Sequence, residues 1–252
     1  MRDLDTAGAR KQIVEFIRQR TPAGGVVVGL SGGIDSSLVL ALCVEAVGKG
    51  KTLGIFMPES ASGVPATIKL YAESLGIRHE TIAIKPIFDA YARHGGISDE
   101  KLVAGNLKAR IRMNLLYSRS NARGLVVIGT GNKSELLTGY FTKYGDGGVD
   151  YLPIGDLYKT HVRQLAEHAG VPDPIITQPP SAGLWEGQTD EKELGITYRK
   201  LDRILHEHYD NGTPFDQVDL PGITEADVKK VKRLTEAAAP KLTMPPVCRV
   251  RK

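Results

Sequence analysis

The sequence predicts an α/β fold, with an open parallel sheet, helices on both faces and a C-terminal helical segment. In the first half of the chain, short apolar runs alternate with longer segments of helical periodicity. Parallel strands must be joined by crossovers, so this alternation favours a parallel sheet that is covered on both faces. The 252 residues, 41% of them hydrophobic, are enough for a sizeable core.

The elements of the first half follow from their apolar patterns. An amphipathic helix is predicted over residues 4–20, where apolar residues recur at helical spacing. Apolar runs containing β-branched residues then predict four strands, over 26–30, 52–57, 79–84 and 125–128. Helical patterns between these runs predict three helices, over 36–47, 65–75 and 99–121.

The second half is richer in loops. Between residues 137 and 194, glycines, prolines and polar residues are frequent, and only residues 160–169 carry a helical pattern. Long loops in a compact domain are usually functional or disordered, so we expect loops that order around a substrate. Helices are predicted over 197–209 and 224–234, the second opened by the capping box Thr224-x-x-Asp227. There is no internal repeat or clear linker, and we interpret residues 1–252 as one domain.

A phosphate-binding loop is predicted between the first strand and the next helix. Ser31, Gly32 and Gly33 let the backbone approach an anion, and the helix predicted from Ser36 directs its free N–H groups and positive dipole end to the same place. A carboxylate beside polyphosphate is repelled unless a divalent cation lies between them, so Asp35 indicates bound Mg²⁺. The alternative is a glycine-rich turn that only joins a strand to a helix.

Two other glycine-rich segments imitate nucleotide-binding motifs. Residues 48–52 end like a Walker loop, but Glu45 stands where that motif needs a glycine, so we interpret them as a solvated helix-to-strand turn. Residues 129–134 begin like a dinucleotide fingerprint, but Ser134 replaces the third glycine. The loop at 31–36 lacks the lysine of G-x-x-x-x-G-K-[ST] and therefore belongs to another class of phosphate-binding loop.

Composition excludes several classes of protein. The net charge of +4 is mildly basic, and anionic small molecules explain it at least as well as nucleic acid does. There is no apolar stretch of about 18 residues and no signal-peptide pattern, so we expect a cytoplasmic protein without membrane contact. Cys43 and Cys248 have neither metal-ligand spacing nor the density of a disulfide scaffold, and are interpreted as ordinary thiols.

The segment Ser31-Gly32-Gly33-Ile34-Asp35-Ser36 resembles the PP-loop of the ATP pyrophosphatase superfamily, whose members cleave ATP between the α and β phosphates. Together with residues 129–135, 139–150 and 193–198, it makes residues 10–210 similar to the NAD⁺ synthetase family. The resemblance implies a Rossmann-like sheet of the adenine nucleotide alpha hydrolase type. It also implies a C–N ligase that uses ATP and ammonia to amidate deamido-NAD⁺ (nicotinic acid adenine dinucleotide). The reaction would pass through an adenylated nicotinate carboxylate and release AMP and pyrophosphate.

The resemblance implies roles for individual residues. ATP would be bound by residues of the loop and by three others: Gly29, Leu30, Ser31, Gly32, Gly33, Ile34, Asp35, Ser36, Thr130, Lys159 and Ser181. Deamido-NAD⁺ would be bound by Arg110, Lys143, Asp150 and Lys241. Mg²⁺ would be bound by Asp35 and Glu135, which with Lys159 would form the catalytic set.

Some of these residues have ordinary structural alternatives. Arg110 could lie on a solvated helix face, and Glu135 could be a first-turn carboxylate without function. A cation is mildly unfavourable in the first turn of a helix, which favours a functional role for Lys159. Ser181 stands where many relatives carry threonine, and Pro240 precedes Lys241 where a histidine is common, which leaves the C-terminal contact open.

Chain length bears on the source of nitrogen. Only 25 residues precede the first predicted strand, whereas glutamine-using relatives carry a glutaminase domain. We therefore expect free ammonia, or ammonia delivered by a separate glutaminase subunit, and the resemblance implies a homodimer. Two alternative functions stay open: another PP-loop adenylating enzyme of the tRNA-thiolating or GMP synthetase type, and a non-catalytic nucleotide-binding subunit.

Overall fold

The sheet is parallel and open. The computed structural model describes residues 1–97, 100–181, 183, 185 and 187–250, except for the side chain of residue 61. Within these residues the strands are β1 (Val26–Leu30), β2 (Thr52–Phe56), β3 (Arg78–Thr81) and β4 (Val126–Ile128). They lie in the order β3-β2-β1-β4, with Val26 of β1 paired to Thr52 on one side and to Val126 on the other.

Helices cover the sheet and form the C-terminal part of the described chain. They are α1 (Thr6–Arg20), α2 (Ile34–Val47), α3 (Ala66–Ser74), α4 (Lys85–Gly95), α5 (Lys101–Arg123), α6 (Lys133–Thr138), α7 (Lys159–His168), α8 (Asp173–Ile176), α9 (Asp190–Leu194), α10 (Tyr198–Tyr209) and α11 (Glu225–Leu242). Short 3₁₀ turns occupy Lys49–Lys51, Ala61–Gly63 and Phe215–Gln217.

Alternate residues of β1 face opposite layers, which confirms the prediction of helices on both faces. Val26 and Val28 belong to a core shared with α1, α2, α3, α7 and α8. Val27 belongs to a second core, shared with α4 and α5. This division follows from the period of two in a strand, where successive side chains point to opposite faces.

The predicted C-terminal helical segment is also confirmed. A third core joins Tyr158 to apolar residues of α9, α10 and α11. α11 opens with the expected capping box of Thr224 and Asp227. It continues to Leu242, beyond the predicted end at residue 234, with Pro240 in its last turn. This position has few helical residues after it, so the missing proline N–H disrupts little.

Four helices, α4, α6, α8 and α9, are not predicted from the sequence. The sequence does not predict α4, where Pro86 near the start resembles a helix breaker although proline is tolerated in a first turn. None of the residues of α4 is fully buried, although Ile87 and Phe88 pack against the core. α6, α8 and α9 are six, four and five residues long, too short to show a helical period. The predicted first residue of α5, at 99, lies outside the described residues.

The topology places a switch point at the carboxyl edge of the sheet. The chain moves from β1 to β2 and β3 on one side, and then returns to place β4 on the other side of β1. Ligands in open parallel sheets bind where the strand order reverses in this way. The loops after β1 and β4 meet at that point, and both carry predicted site residues.

Candidate active site

The loop after β1 is held by hydroxyl groups. Ser31 Oγ lies 3.1 Å from Ser36 Oγ and accepts a hydrogen bond from the Gly33 N–H at 3.2 Å. Gly32 has a φ of 91°, in the left-handed region that favours glycine. α2 begins at Ile34, two residues before the predicted start, and Gly33 supplies no side-chain cap. The first-turn N–H groups of α2 are therefore available to an anion.

The loop after β4 brings a second carboxylate to the same edge. Asn132 and Glu135 form a capping box at the start of α6. Asn132 Nδ2 also donates to Asp35 Oδ1 at 2.9 Å, which ties the two loops together. Gly129 allows this loop to approach Leu152 closely, because a Cβ at residue 129 would lie 2.5 Å from Leu152 Cδ2. The segment that imitates a dinucleotide fingerprint is thus the entry to a capped helix.

Lys159, the first residue of α7, lies between the two carboxylates. Its Nζ is 2.5 Å from Asp35 Oδ2 and 3.3 Å from Glu135 Oε1. The Lys159 side chain is 8% exposed, and both carboxylates are largely buried. The structure therefore brings together the three residues predicted as the catalytic set, which come from separate parts of the chain.

The pKa values of Glu135 and Lys159 are both raised, by opposite balances of burial and charge. Burial raises the pKa of Glu135 to about 8, although the nearby Lys159 charge opposes the change. Burial lowers the pKa of Lys159, but Asp35 and Glu135 outweigh it, so the net pKa is above its usual value. Two carboxylates here share one ammonium group, and a further cation at the cluster would favour the ionised form of Glu135.

Three hydrogen bonds fix the start of α7. Asp202 of α10 accepts from the Ser134 hydroxyl at 2.5 Å and from the Thr160 N–H at 2.9 Å. Ser134 Oγ in turn accepts from the Lys159 N–H at 3.0 Å. Asp202 and Ser134 are fully buried, and burial raises the pKa of Asp202. These two residues position the backbone from which Lys159 extends.

A second group of cations gathers around the loop after α6. Arg110 Nη2 donates to the Lys143 carbonyl at 3.4 Å. Lys143 Nζ donates to the carbonyls of Pro240 and Thr243, at 2.5 and 3.3 Å. Lys241 Nζ returns to the same loop, with bonds of 2.6 and 2.8 Å to the carbonyls of residues 139 and 141. Arg110, Lys143 and Lys241 thus lie in one region.

The other predicted site residues have different surroundings. Asp150 accepts from the Val127 N–H at 2.7 Å and from the Tyr117 hydroxyl at 3.1 Å, so its carboxylate is bound to the sheet and to α5. Thr130 is partly buried just after β4. Ser181 is exposed, and its hydroxyl accepts from the Gly183 N–H at 3.1 Å.

Comparison with known proteins assigns the chain to a family. A family model described as NAD synthase matches residues 9–245, nearly the whole chain. The chain belongs to the NAD synthase family.

Relatives and solved structures are similar to this chain over nearly its whole length. The NH₃-dependent NAD⁺ synthetase of Methanosarcina acetivorans is 47% identical, over 97% of this chain and 98% of that protein. An NMN synthetase from Francisella tularensis is 31% identical with a TM-score of 0.86, covering 98% of this chain and 100% of that one. An NH₃-dependent NAD synthetase from Campylobacter jejuni is 30% identical with a TM-score of 0.80, at the same coverage.

Sequence reasoning missed three residues that hold the cluster of Asp35, Glu135 and Lys159 in place. Asn132, Ser134 and Asp202 support the predicted residues through side-chain hydrogen bonds. The Asn-x-x-Glu spacing of Asn132 and Glu135 is a capping-box signal that could have identified Asn132. Asp202 lies 68 residues from Ser134, and no local pattern marks that contact.

The remaining sequence predictions concern regions away from the site. Residues 48–52 form the predicted turn, with a 3₁₀ segment between α2 and β2. Cys43 is buried, which raises the pKa of its thiol to about 12, whereas Cys248 is exposed. Among the described helices, none is long and apolar enough to cross a membrane.

Proposed function

We propose that this chain catalyses the ATP-dependent amidation of deamido-NAD⁺ to NAD⁺ with ammonia, releasing AMP and pyrophosphate. The observation that carries the proposal is its near full-length similarity to NH₃-dependent NAD⁺ synthetases. The cluster of Asp35, Glu135 and Lys159 at the carboxyl edge of the sheet supports it, since this is where an α/β enzyme binds nucleotide.

Asp35 and Glu135 fit a magnesium ion. They offer hard carboxylate oxygens. No group of three or more potential metal ligands converges in the described residues, so the protein would supply only these two ligands. Two carboxylates suit an ion that keeps several waters and binds substrate phosphates. When bound, Mg²⁺ would neutralise charge on the phosphates of ATP. Lys159, released from the two carboxylates, would then contact a phosphate oxygen.

ATP would lie over the loop after β1. The residues proposed to hold it are 29–36, with Thr130, Lys159 and Ser181. The uncapped N–H groups of α2 and its positive dipole end suit the phosphates. The hydroxyls of Thr130 and Ser181 would contact the nucleotide.

Deamido-NAD⁺ carries a pyrophosphate and a carboxylate, which call for cations. Arg110, Lys143 and Lys241 lie together and are proposed to supply them. In the structure Lys143 and Lys241 bind main-chain carbonyls, which a ligand would replace. Asp150, whose carboxylate is bound to Val127 and Tyr117, would contact the dinucleotide from the sheet side.

The chemistry requires positioning more than a protein nucleophile. A nicotinate oxygen attacks the α-phosphorus, and pyrophosphate leaves. Ammonia then attacks the carbonyl carbon and loses one proton to solvent, the C–N bond forms, and the C–O bond to AMP breaks so that AMP leaves with its electron pair. Lys159 offsets negative charge in the first step, and the cations around residues 139–143 hold the acceptor in place.

The direct test is an incubation of the purified chain with ATP, Mg²⁺, ammonium chloride and deamido-NAD⁺, omitting each component in turn. AMP and NAD⁺ should appear together only in the complete mixture. Similarity to an NMN synthetase makes the corresponding mononucleotide a second acceptor to include. If AMP forms but neither acceptor is amidated, another PP-loop adenylating enzyme of the tRNA-thiolating or GMP synthetase type is favoured. Absence of AMP in every mixture would favour a non-catalytic nucleotide-binding subunit.

The proposal extends to the domain organisation, oligomeric state and partners of the protein. We expect residues 1–252 to act as one domain in a cytoplasmic homodimer, with neither nucleic-acid nor membrane partners. Ammonia would be taken up free or from a separate glutaminase subunit. Light scattering coupled to gel filtration should give twice the 27.3 kDa chain mass. A monomer at micromolar concentration would contradict the dimer.

A further inference from the structure

Asp210, which directly follows α10, binds three donors from separate parts of the structure. Its Oδ1 accepts from Lys133 Nζ at 2.7 Å, and its Oδ2 accepts from the Tyr158 hydroxyl at 2.9 Å. His206, one turn earlier on α10, has its Nδ1 2.8 Å from the same Oδ2. One carboxylate therefore joins the end of α10 to the starts of α6 and α7.

The two distant donors lie next to residues predicted as the catalytic set. Lys133 is the first residue of α6 and lies two positions before Glu135. Tyr158 directly precedes Lys159, the first residue of α7. The Lys133 N–H donates to the Leu157 carbonyl at 2.8 Å, and Lys133 Nζ lies 4.9 Å from the centroid of the Tyr158 ring. The starts of the two helices are thus in direct contact, with one carboxylate bound to both.

The carboxylate of Asp210 is held in its ionised form. Burial favours the neutral acid, but the bonds from its three donors outweigh burial, so the pKa of Asp210 lies below its usual value. Lys133 also contacts Asp156, but that carboxylate is 95% exposed, and an exposed ion pair contributes little. Asp210 is 31% exposed and is therefore the less solvated partner of Lys133.

The position of Asp210 matters for the exchange of partners at the cluster, and in this respect the inference rests on the proposed function. Without ligands, the ion pair of Lys159 with Glu135, at 3.3 Å, joins the starts of α6 and α7 directly. Loading with magnesium and ATP would open that ion pair, because Glu135 would bind the metal and Lys159 a phosphate. Another contact must then keep the two helix starts at a fixed distance. The bonds of Asp210 do not involve the reacting groups, so they would persist through the exchange.

We propose that Asp210 is a positioning residue of the reaction, which keeps Glu135 and Lys159 at a fixed spacing while the ion pair between them is open. Asp202, about two turns earlier on α10, fixes the backbone at the start of α7. Asp210 instead fixes the side chains next to the cluster. The two carboxylates of α10 therefore have separate roles.

The kinetic test is Asp210→Ala, which removes the acceptor from all three donors. We expect kcat to fall about tenfold, and the Mg²⁺ concentration for half-maximal rate to rise about tenfold, because Glu135 and Lys159 lose their spacing in the loaded site. The KM for ammonium should stay within about twofold of the wild-type value. Asp156→Ala is the matched control, since it removes the exposed carboxylate from the same Lys133, and it should leave all three values unchanged.

A binding measurement separates positioning from folding. Calorimetric titration with ATP and Mg²⁺, without deamido-NAD⁺ or ammonium, should show about tenfold weaker binding to Asp210→Ala than to the wild type or Asp156→Ala. Urea unfolding would give the folded fraction of each variant, so that rates and affinities refer to folded protein. Tyr158→Phe keeps the ring and removes only the hydroxyl, so it should show the same effects to a smaller degree. It decides the question if Asp210→Ala does not fold.

Three results would count against this role of Asp210. Wild-type kcat and ATP affinity in folded Asp210→Ala would overturn it, and so would equal losses in Asp156→Ala. A wild type that does not bind ATP with Mg²⁺ would overturn both the inference and the proposed function. A wild type that binds ATP but forms no NAD⁺ would overturn the proposed function, and the comparison of ATP affinities would then decide the inference.

Discussion

At the scale of single residues, Lys159 joins two carboxylates that come from different loops. Its ammonium group binds both Asp35 and Glu135, so each of the proposed metal ligands already has a cationic partner. Loading the proposed site would therefore exchange partners, with a metal on the carboxylates and a phosphate on Lys159. Such an exchange keeps every charge in the buried cluster compensated.

Asp35→Asn and Glu135→Gln should each reduce kcat by orders of magnitude, because each removes one proposed ligand of Mg²⁺. Steady-state assays over a range of Mg²⁺ concentrations would measure this. Glu45→Gln is the control on the same helix as Asp35, since Glu45 belongs to an exposed ion pair with Arg10 that contributes little. Near-normal turnover in either variant would refute the metal assignment.

Arg110→Ala and Lys143→Ala should mainly raise the KM for deamido-NAD⁺, because their cations are proposed to bind its anionic groups. Initial rates at saturating ATP would measure the change. Arg123→Ala provides a control on α5, since Arg123 pairs with Glu80 away from the cation cluster. An increase confined to the KM for ATP would move Arg110 and Lys143 to the other substrate site.

At the scale of elements, the start of α7 is fixed by its neighbours rather than by its own sequence. Tyr158 at the N-cap position supplies no side-chain cap. Asp202 of α10 and Ser134 of α6 take over this role by accepting from the N–H groups of Thr160 and Lys159. Three helices therefore determine the direction in which Lys159 points.

Asp202→Ala should destabilise the fold by about 1–3 kcal/mol, because it leaves the Ser134 hydroxyl and the Thr160 N–H buried without their acceptor. It should also lower kcat, since Lys159 loses its fixed position. Urea unfolding and steady-state kinetics would measure the two effects. Asp216→Ala, at an exposed position, is the control. Unchanged stability would show that Asp202 does not support α7.

At the scale of the whole molecule, the sheet separates two hydrophobic cores, and its carboxyl edge carries the proposed site. The core that contains α2 includes Cys43, which is fully buried. Cys248, in contrast, is exposed near the C-terminus. The two thiols therefore report on different parts of the same structure.

An alkylating reagent at neutral pH should label Cys248 rapidly and Cys43 only on unfolding. Burial denies access to Cys43 and raises its pKa to about 12, so little reactive thiolate forms. Mass spectrometry of peptides over time, with and without urea, would measure both rates. Equal labelling rates in the native protein would contradict the buried position of Cys43.

Much of the fold follows from local sequence patterns. The four strands and the helices on both faces are correctly predicted, because periods of two and 3.6 are local properties of the chain. α4 and the short helices around the site are not predicted, since they bury little or span too few residues to show a period. Their formation depends on packing against the rest of the molecule.

The sequence by itself determined the strand–turn–helix conformation around Asp35, because glycines and hydroxyls act on the backbone beside them. The phosphate-binding role of this loop stays a prediction. Through resemblance to a family, the sequence also predicted Glu135 and Lys159 as members of the catalytic set. Only the tertiary structure decided that Lys159 binds Asp35 across 124 residues and that Asp202 fixes α7. Contacts between distant residues depend on how helices pack against the sheet, and no local pattern encodes that packing.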